Sequence, residues 1–143
     1  MKPDIPAVLE DVARQLRESI LPDLKGFKAN MVGMTAAMLD ITAEAWDGAA
    51  DRLVRENGAL AGLLTQGADV TGDATFRNAA TEEPEDLKIS TLERINDQRR
   101  RALVTLQVRI EAEDSSAAKA LDAAIWDELR ASTERRRVAL ANF

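Results

Sequence analysis

Four acidic side chains in the first half of the chain have the spacing that could hold a divalent metal. They are separated by four, three and four residues, at Asp40, Glu44, Asp47 and Asp51. On a continuous helix these positions share one face, and carboxylate oxygens are the ligands that Mg²⁺ prefers. One hypothesis is therefore a magnesium-dependent all-α nucleotide hydrolase, with Glu111, Glu113 and Asp114 as candidates for the second acidic pair that such a site needs. The interpretation we favour is a solvated helix face, where charge stripes normally lie.

Two runs of three arginines, at 99–101 and 135–137, are the candidates for binding an anion. Three consecutive helical residues fan over roughly 200°, so a whole run cannot form one patch. Single members could contact a phosphate or an acidic partner together with nearby arginines. The candidate anion contacts are Arg94, Arg101, Arg130 and Arg137. The interpretation we favour is surface salt bridges with the neighbouring Glu93, Asp97, Glu128 and Glu134.

A stripe of large apolar residues marks the second helical segment. Its members are Phe27, Met31, Met34, Met38 and Trp46. Methionine side chains are flexible and polarizable, so such a stripe could line an adaptable groove. A further hypothesis is therefore a binder of a small apolar ligand of the acyl type, which requires a cavity of roughly 300 Å³ or more. Filling of the core is the more common use of these residues.

The composition closes many routes to catalysis. The 143 residues include no His, Cys or Tyr, which excludes disulfides, thiol chemistry, His-based acid–base chemistry and di-iron sites of the Glu-x-x-His type. No P-loop or dinucleotide-binding glycine motif is present, and we expect no cofactor. The net charge of −6 opposes binding to nucleic acids and to anionic membranes.

The apolar periodicity predicts an all-α fold, a mostly antiparallel bundle of four to five helices in one domain spanning 1–143. We expect no signal peptide or membrane span, and a cytoplasmic location. The pattern leaves open whether Gly48 separates the second helix from the third. A long loop is predicted at about 66–83, with Phe76 as its one large residue. The predicted helices cover 5–21, about 24–47, 49–65, 84–113, and a last one from about 115 toward Val138 and Leu140.

Both ends of the sequence carry a resemblance. The stretch from Pro6 to Leu24, with its Leu-Pro-x-Leu ending, and the stretch from Leu129 to Asn142 resemble a bacterial family of small uncharacterised helical proteins. The resemblance implies a helical fold and gene neighbours of two kinds, aminoglycoside-phosphotransferase-like kinases and acyl-CoA dehydrogenases. It thereby implies an accessory role in a catabolic pathway. It transfers no catalytic residue to this chain.

Amphipathic faces are abundant and convergent polar chemistry is scarce, so the leading hypothesis is a non-enzymatic interaction or accessory module. We expect it to act through an apolar helix face on a protein partner or on itself, as a homodimer. An apolar surface patch of several hundred Å² would mark such an interface. The magnesium hydrolase and the apolar-ligand binder remain as alternatives.

Overall fold

The structure is a computed structural model that describes residues 4–139. It is all-α, as the periodicity predicts, with no strand in that range. The five α-helices are α1 (Ile5–Gln15), α2 (Phe27–Thr71), α3 (Ala74–Thr81), α4 (Ile89–Glu111) and α5 (Ser116–Arg135). The chain divides into two compact units. One comprises Met1–Ala49 and Arg137–Phe143, described over 4–49 and 137–139, and the other comprises Ala50–Arg136.

The first helix begins where the sequence predicts. Asp4 is the N-cap, and its side chain accepts a hydrogen bond from the Ala7 amide at 3.3 Å, which satisfies one of the unpaired donors of the first turn. The α-helix ends at Gln15 and continues as a π-helical turn over Leu16–Ile20 and a 3₁₀ turn over Leu21–Asp23. The predicted end at residue 21 thus falls within the 3₁₀ turn that contains Pro22.

Helix α2 answers the question that Gly48 left open. It is a single helix of 45 residues and includes Gly48, Gly58 and Gly62. A glycine costs roughly 1 kcal/mol relative to alanine inside a helix, and here this cost is not enough to interrupt it. Of the two arrangements that the sequence left open, the structure has the continuous helix.

Most of the loop predicted at 66–83 is helical in the structure, so that prediction is wrong. Residues 66–71 belong to α2, and the next eight-residue helix, α3, begins at Ala74. The change of direction lies at Gly72, whose φ of +68° suits glycine. Asp73 then caps α3 by accepting from the Thr75 amide at 2.9 Å. Phe76 is buried, as its size suggests.

Helix α4 begins five residues later than predicted, at Ile89, and Pro84 lies before it in non-helical chain. Asp86 accepts from the Lys88 backbone amide at 3.0 Å, which orders the chain at the start of the helix. The sequence offers Asp114, Ser115 and Ser116 as caps for helix α5. The helix begins after Ser115, whose hydroxyl accepts from the Ala118 amide at 3.0 Å. It ends at Arg135, so Val138 is not helical, and Leu140 lies outside the described residues.

The second unit carries a continuous hydrophobic core. Helices α3, α4 and α5 and the part of α2 from Ala50 on pack their apolar faces together as a helical bundle. Burial of these side chains is the main favourable term for folding. The core consists of Leu60, Leu63, Leu64, Ala68, Phe76, Ala80, Leu103, Leu106, Ile110, Ala118, Leu121 and Ile125.

Candidate functional site

A row of exposed apolar side chains lies on α2 in the first unit. Phe27, Met31, Met34 and Met38, which we call the α2 stripe, are between 53% and 76% exposed. Their spacing of four, three and four residues places them in one narrow row along the helix. Trp46 lies at one side of this row and is 49% exposed. All five side chains are therefore exposed and do not fill the core, which was the more common use expected for them. Side chains this exposed also do not enclose a cavity for an apolar ligand.

The first unit has little interior of its own. Within its described residues, the buried hydrophobic side chains are all alanines: Ala13, Ala36, Ala43 and Ala49. Ala36 and Ala43 lie on the face of α2 opposite the stripe, and small residues allow close helix approach there. The large apolar side chains of the unit are half-buried or exposed, so hydrophobic area that could stabilise contacts remains on the surface.

The four acidic candidates do not form a metal-binding cluster. Asp40 forms an ion pair with Arg17, Glu44 accepts from the Ala139 amide at 2.7 Å, and Asp51 pairs with Arg55 at 3.0 Å. Within residues 4–139, no three acidic side chains lie in an arrangement that could hold a metal ion. This does not match the inward-turned carboxylates that the magnesium hypothesis requires.

Three of these acids do line one open groove of the first unit, of about 610 Å³. Its lining is acidic at five of seven positions, so its potential is negative and would repel phosphates and carboxylates. The groove-lining residues are Asp4, Pro6, Glu10, Asp40, Ala43, Glu44 and Asp47.

The proposed anion-contact arginines do not gather into a site. Arg94 pairs with Glu82 at 2.6 Å and Arg130 with Asp127 at 2.7 Å, both as exposed ion pairs. Arg101 and Arg137 are exposed. Surface pairs of this kind contribute little to stability. They agree with the interpretation of solvated salt bridges for Arg94 and Arg130, but the partners, Glu82 and Asp127, differ from those expected.

Two other members of the arginine runs form a buried network that the sequence reasoning missed. Its centre is Glu56 on α2, which is fully buried. Arg136, directly after α5, donates from Nε to Oε1 at 2.8 Å and from Nη2 to Oε2 at 2.7 Å. Arg100 on α4 donates to Oε1 at 3.1 Å, Asn96 donates to Oε2 at 3.2 Å, and the Ser132 hydroxyl donates to Oε1. One carboxylate thereby joins α2, α4 and the end of α5 within the second unit.

The electrostatics of Glu56 follow from these donors. Burial raises its pKa, but the hydrogen bonds from Arg136 and Ser132 and the charges of Arg100 and Arg136 outweigh burial and lower the pKa to about 2. A carboxylate with five donors and so low a pKa is a poor general base at neutral pH. The network is therefore a structural connection that fixes how three helices meet, and not a centre for proton transfer.

A buried cation, Arg99, stabilises the turn after α3. Arg99 on α4 is 4% exposed and donates to the backbone carbonyls of Ala80 at 2.8 Å and Glu82 at 2.6 Å. It also donates to the Asn57 carbonyl of α2 at 2.9 Å. Burial lowers the pKa of Arg99, and the charges of Glu83 and Glu82 raise it. A positive charge at the C-terminal end of a helix interacts favourably with its exposed carbonyls.

A signal for this network is present in the sequence. Glu56 and Asn57 lie between Leu53 and Leu60 on the apolar face of α2, where a hydrophobic residue is expected. Asn96 and Arg99 occupy the same kind of position between Ile95 and Leu103 on α4. Ser132 follows Ile125 by seven residues on α5. Polar residues at core positions on several helices indicate a buried polar network, since each such group requires a partner.

The chain matches no protein-family model, no curated protein and no solved structure. No helix within the described range combines the length and the hydropathy of a membrane span.

Proposed function

We propose that this chain is a non-enzymatic helical interaction module that binds a helix of a protein partner, or of a second copy, through the α2 stripe. The binding surface lies on the first unit, and the hydrophobic core cluster lies in the second. In line with the resemblance of the chain ends, we propose an accessory role in a catabolic pathway, and we keep the cytoplasm as the proposed location. No cofactor or metal is part of this proposal.

One observation carries the proposal: Phe27, Met31, Met34 and Met38 form an exposed apolar row on a unit whose described interior is built from alanines. Soluble monomers rarely expose a contiguous apolar patch of several hundred Å² unless it serves an interface. Methionines suit such a surface because their side chains adapt to a partner. An enzymatic function has less support than an interaction module. The Glu56 carboxylate already accepts hydrogen bonds at both oxygens, and the acidic candidates are dispersed.

The test compares two double variants in a tagged chain expressed in its own source cell. M34E/M38E places charge on the stripe, and V104E/V108E makes the same change at two equally exposed valines of α4. All four side chains are largely solvent-exposed, so both variants should fold like the parent, as circular dichroism would check.

We expect the parent and V104E/V108E to co-purify with the same protein, or as an oligomer, and M34E/M38E to lose that association. Mass spectrometry identifies the associated chain and sedimentation velocity measures the oligomeric state. If M34E/M38E retains every association of the parent, the stripe is not the interface and the proposal is wrong.

A further inference from the structure

We infer that the occupant of the α2 stripe is the same stripe of a second copy of this chain, with the two helices antiparallel and crossing at the level of residue 36. This rests on the proposed function and deepens it by naming the partner and its register. Area, residue size and polar flanks each support it.

The exposed area suits a dimer. The stripe and Trp46 together expose on the order of 700 Å². Two copies pairing through them would bury roughly 1,400 Å² in total, within the ~1,200–2,000 Å² of stable protein interfaces. A second copy therefore supplies enough apolar surface to cover the stripe completely.

The spacing of the row favours an antiparallel register. The row continues past Met38 through Ile41 and Ala45, again at three- and four-residue steps. Pairing around residue 36 places Met34 against Met38 of the second copy, and Met31 against Ile41. It also places Phe27, the bulkiest member, against Ala45, the smallest. A parallel pairing would instead set Phe27 against Phe27 and Ala45 against Ala45, which leaves layers of unequal width.

The polar residues beside the row carry little desolvation cost. The Thr35 hydroxyl donates to the Met31 carbonyl at 2.9 Å, and the Thr42 hydroxyl donates to the Met38 carbonyl at 2.7 Å. Both hydroxyls are therefore satisfied within α2 before any partner binds. Burial of these two hydroxyls in an interface leaves neither of them unpaired, which avoids a common cost of interface formation.

Disulfide cross-linking tests the register, and it is unambiguous because the chain contains no cysteine. The variants M31C and I41C are oxidised separately and as an equimolar mixture. In the antiparallel register, position 31 of one copy lies opposite position 41 of the other, while two copies of position 31 are about 15 Å apart along the axis. A disulfide requires Cα atoms within about 7 Å.

We expect the mixture to yield several-fold more disulfide-linked dimer than either variant alone, with the linked peptides joining positions 31 and 41. Sedimentation equilibrium should give the parent and V104E/V108E twice the monomer mass of 15.6 kDa, and M34E/M38E the monomer mass. Efficient linking of M31C to itself would overturn the antiparallel register. A monomeric parent would overturn the second copy as occupant, and stripe-dependent capture of a different protein would then still support the interaction module.

Discussion

Arg136 donates to both carboxylate oxygens of Glu56, at 2.8 and 2.7 Å, across eighty positions of the sequence. Bidentate pairs of this kind are both stronger and more directional than single hydrogen bonds. Because Glu56 is fully buried on α2 and Arg136 follows α5 directly, the pair fixes the end of α5 against α2. The contact therefore specifies how the helices of the second unit meet.

Removal of the Glu56 charge should destabilise the second unit strongly. E56Q leaves Arg100 and Arg136 without their counter-ion, and because these side chains are 33% and 48% exposed, water compensates part of the loss and the cost is about 1–3 kcal/mol. We expect that loss in the free energy of unfolding, measured by urea denaturation at pH 7. The matched control is D51N on the same helix, where the exposed pair with Arg55 is worth under about 1 kcal/mol. Equal effects of the two variants would contradict the role assigned to Glu56.

The same carboxylate should make stability depend on acid pH. The folded pKa of Glu56 is lowered from 4.5 to about 2, so the unfolded chain binds the proton more readily than the folded one. The stabilisation is fully present above pH 4.5 and is lost as the pH falls from 4.5 toward 2. The shift corresponds to about 3 kcal/mol.

Urea denaturation of the parent and of E56Q at pH 7, 4.5 and 3 isolates this contribution, because other titrating acids act equally in both proteins. We expect the difference in free energy between the two to shrink as the pH falls. A difference that stays constant down to pH 3 would show that Glu56 titrates alike in the folded and unfolded chains.

Arg99 and Arg101 are two positions apart on α4, and their substitution should affect stability to very different extents. R99M removes the donors to the carbonyls of Ala80, Glu82 and Asn57, and buried carbonyls left unpaired cost about 1–3 kcal/mol. R101M changes an exposed side chain and should alter stability by under about 0.5 kcal/mol. Thermal unfolding followed by circular dichroism compares the two. A melting temperature lowered equally by both would contradict the buried role of Arg99.

The sequence predicts the fold class, the start of α1 and the cap of α5 because each depends on local signals. Asp4 and Ser115 are capping residues placed just before an apolar periodic segment. The sequence leaves the continuity of α2 at Gly48 open because a glycine raises the cost of a helix without forbidding it. The loop predicted at 66–83 failed because α3 has only eight residues, too few for its periodicity to be distinguished from a loop.

The candidate site could be predicted only in part. The members of the α2 stripe follow from spacing, but a stripe that faces a core and one that faces solvent have the same periodicity. Whether the stripe faces a core or solvent depends on how much apolar surface the rest of the chain can bury. The Glu56 network joins residues up to eighty positions apart, and no local pattern pairs Glu56 with Arg136. Polar residues at apolar positions are the sign that such partners exist.

Gly67 and Gly62 lie on α2 five residues apart and give opposite predictions for the same substitution. A Cβ at Gly67 would lie 2.7 Å from Cδ1 of Leu106 and closer still to Cδ2, whereas a Cβ at Gly62 meets nothing within 4 Å. Leu106 is fully buried, so its methyl groups cannot move without repacking the core. We expect G67A to destabilise the protein by about 1–3 kcal/mol. G62A should stabilise it by about 0.5–1 kcal/mol, since alanine loses less backbone entropy in a helix.

Urea denaturation of the two variants, with the slope of the transition checked for constancy, measures both effects. Opposite signs would show that α2 and α4 approach too closely at Gly67 to admit a methyl group. If G67A instead stabilises the protein as much as G62A, Leu106 has room to move and this close approach does not require glycine.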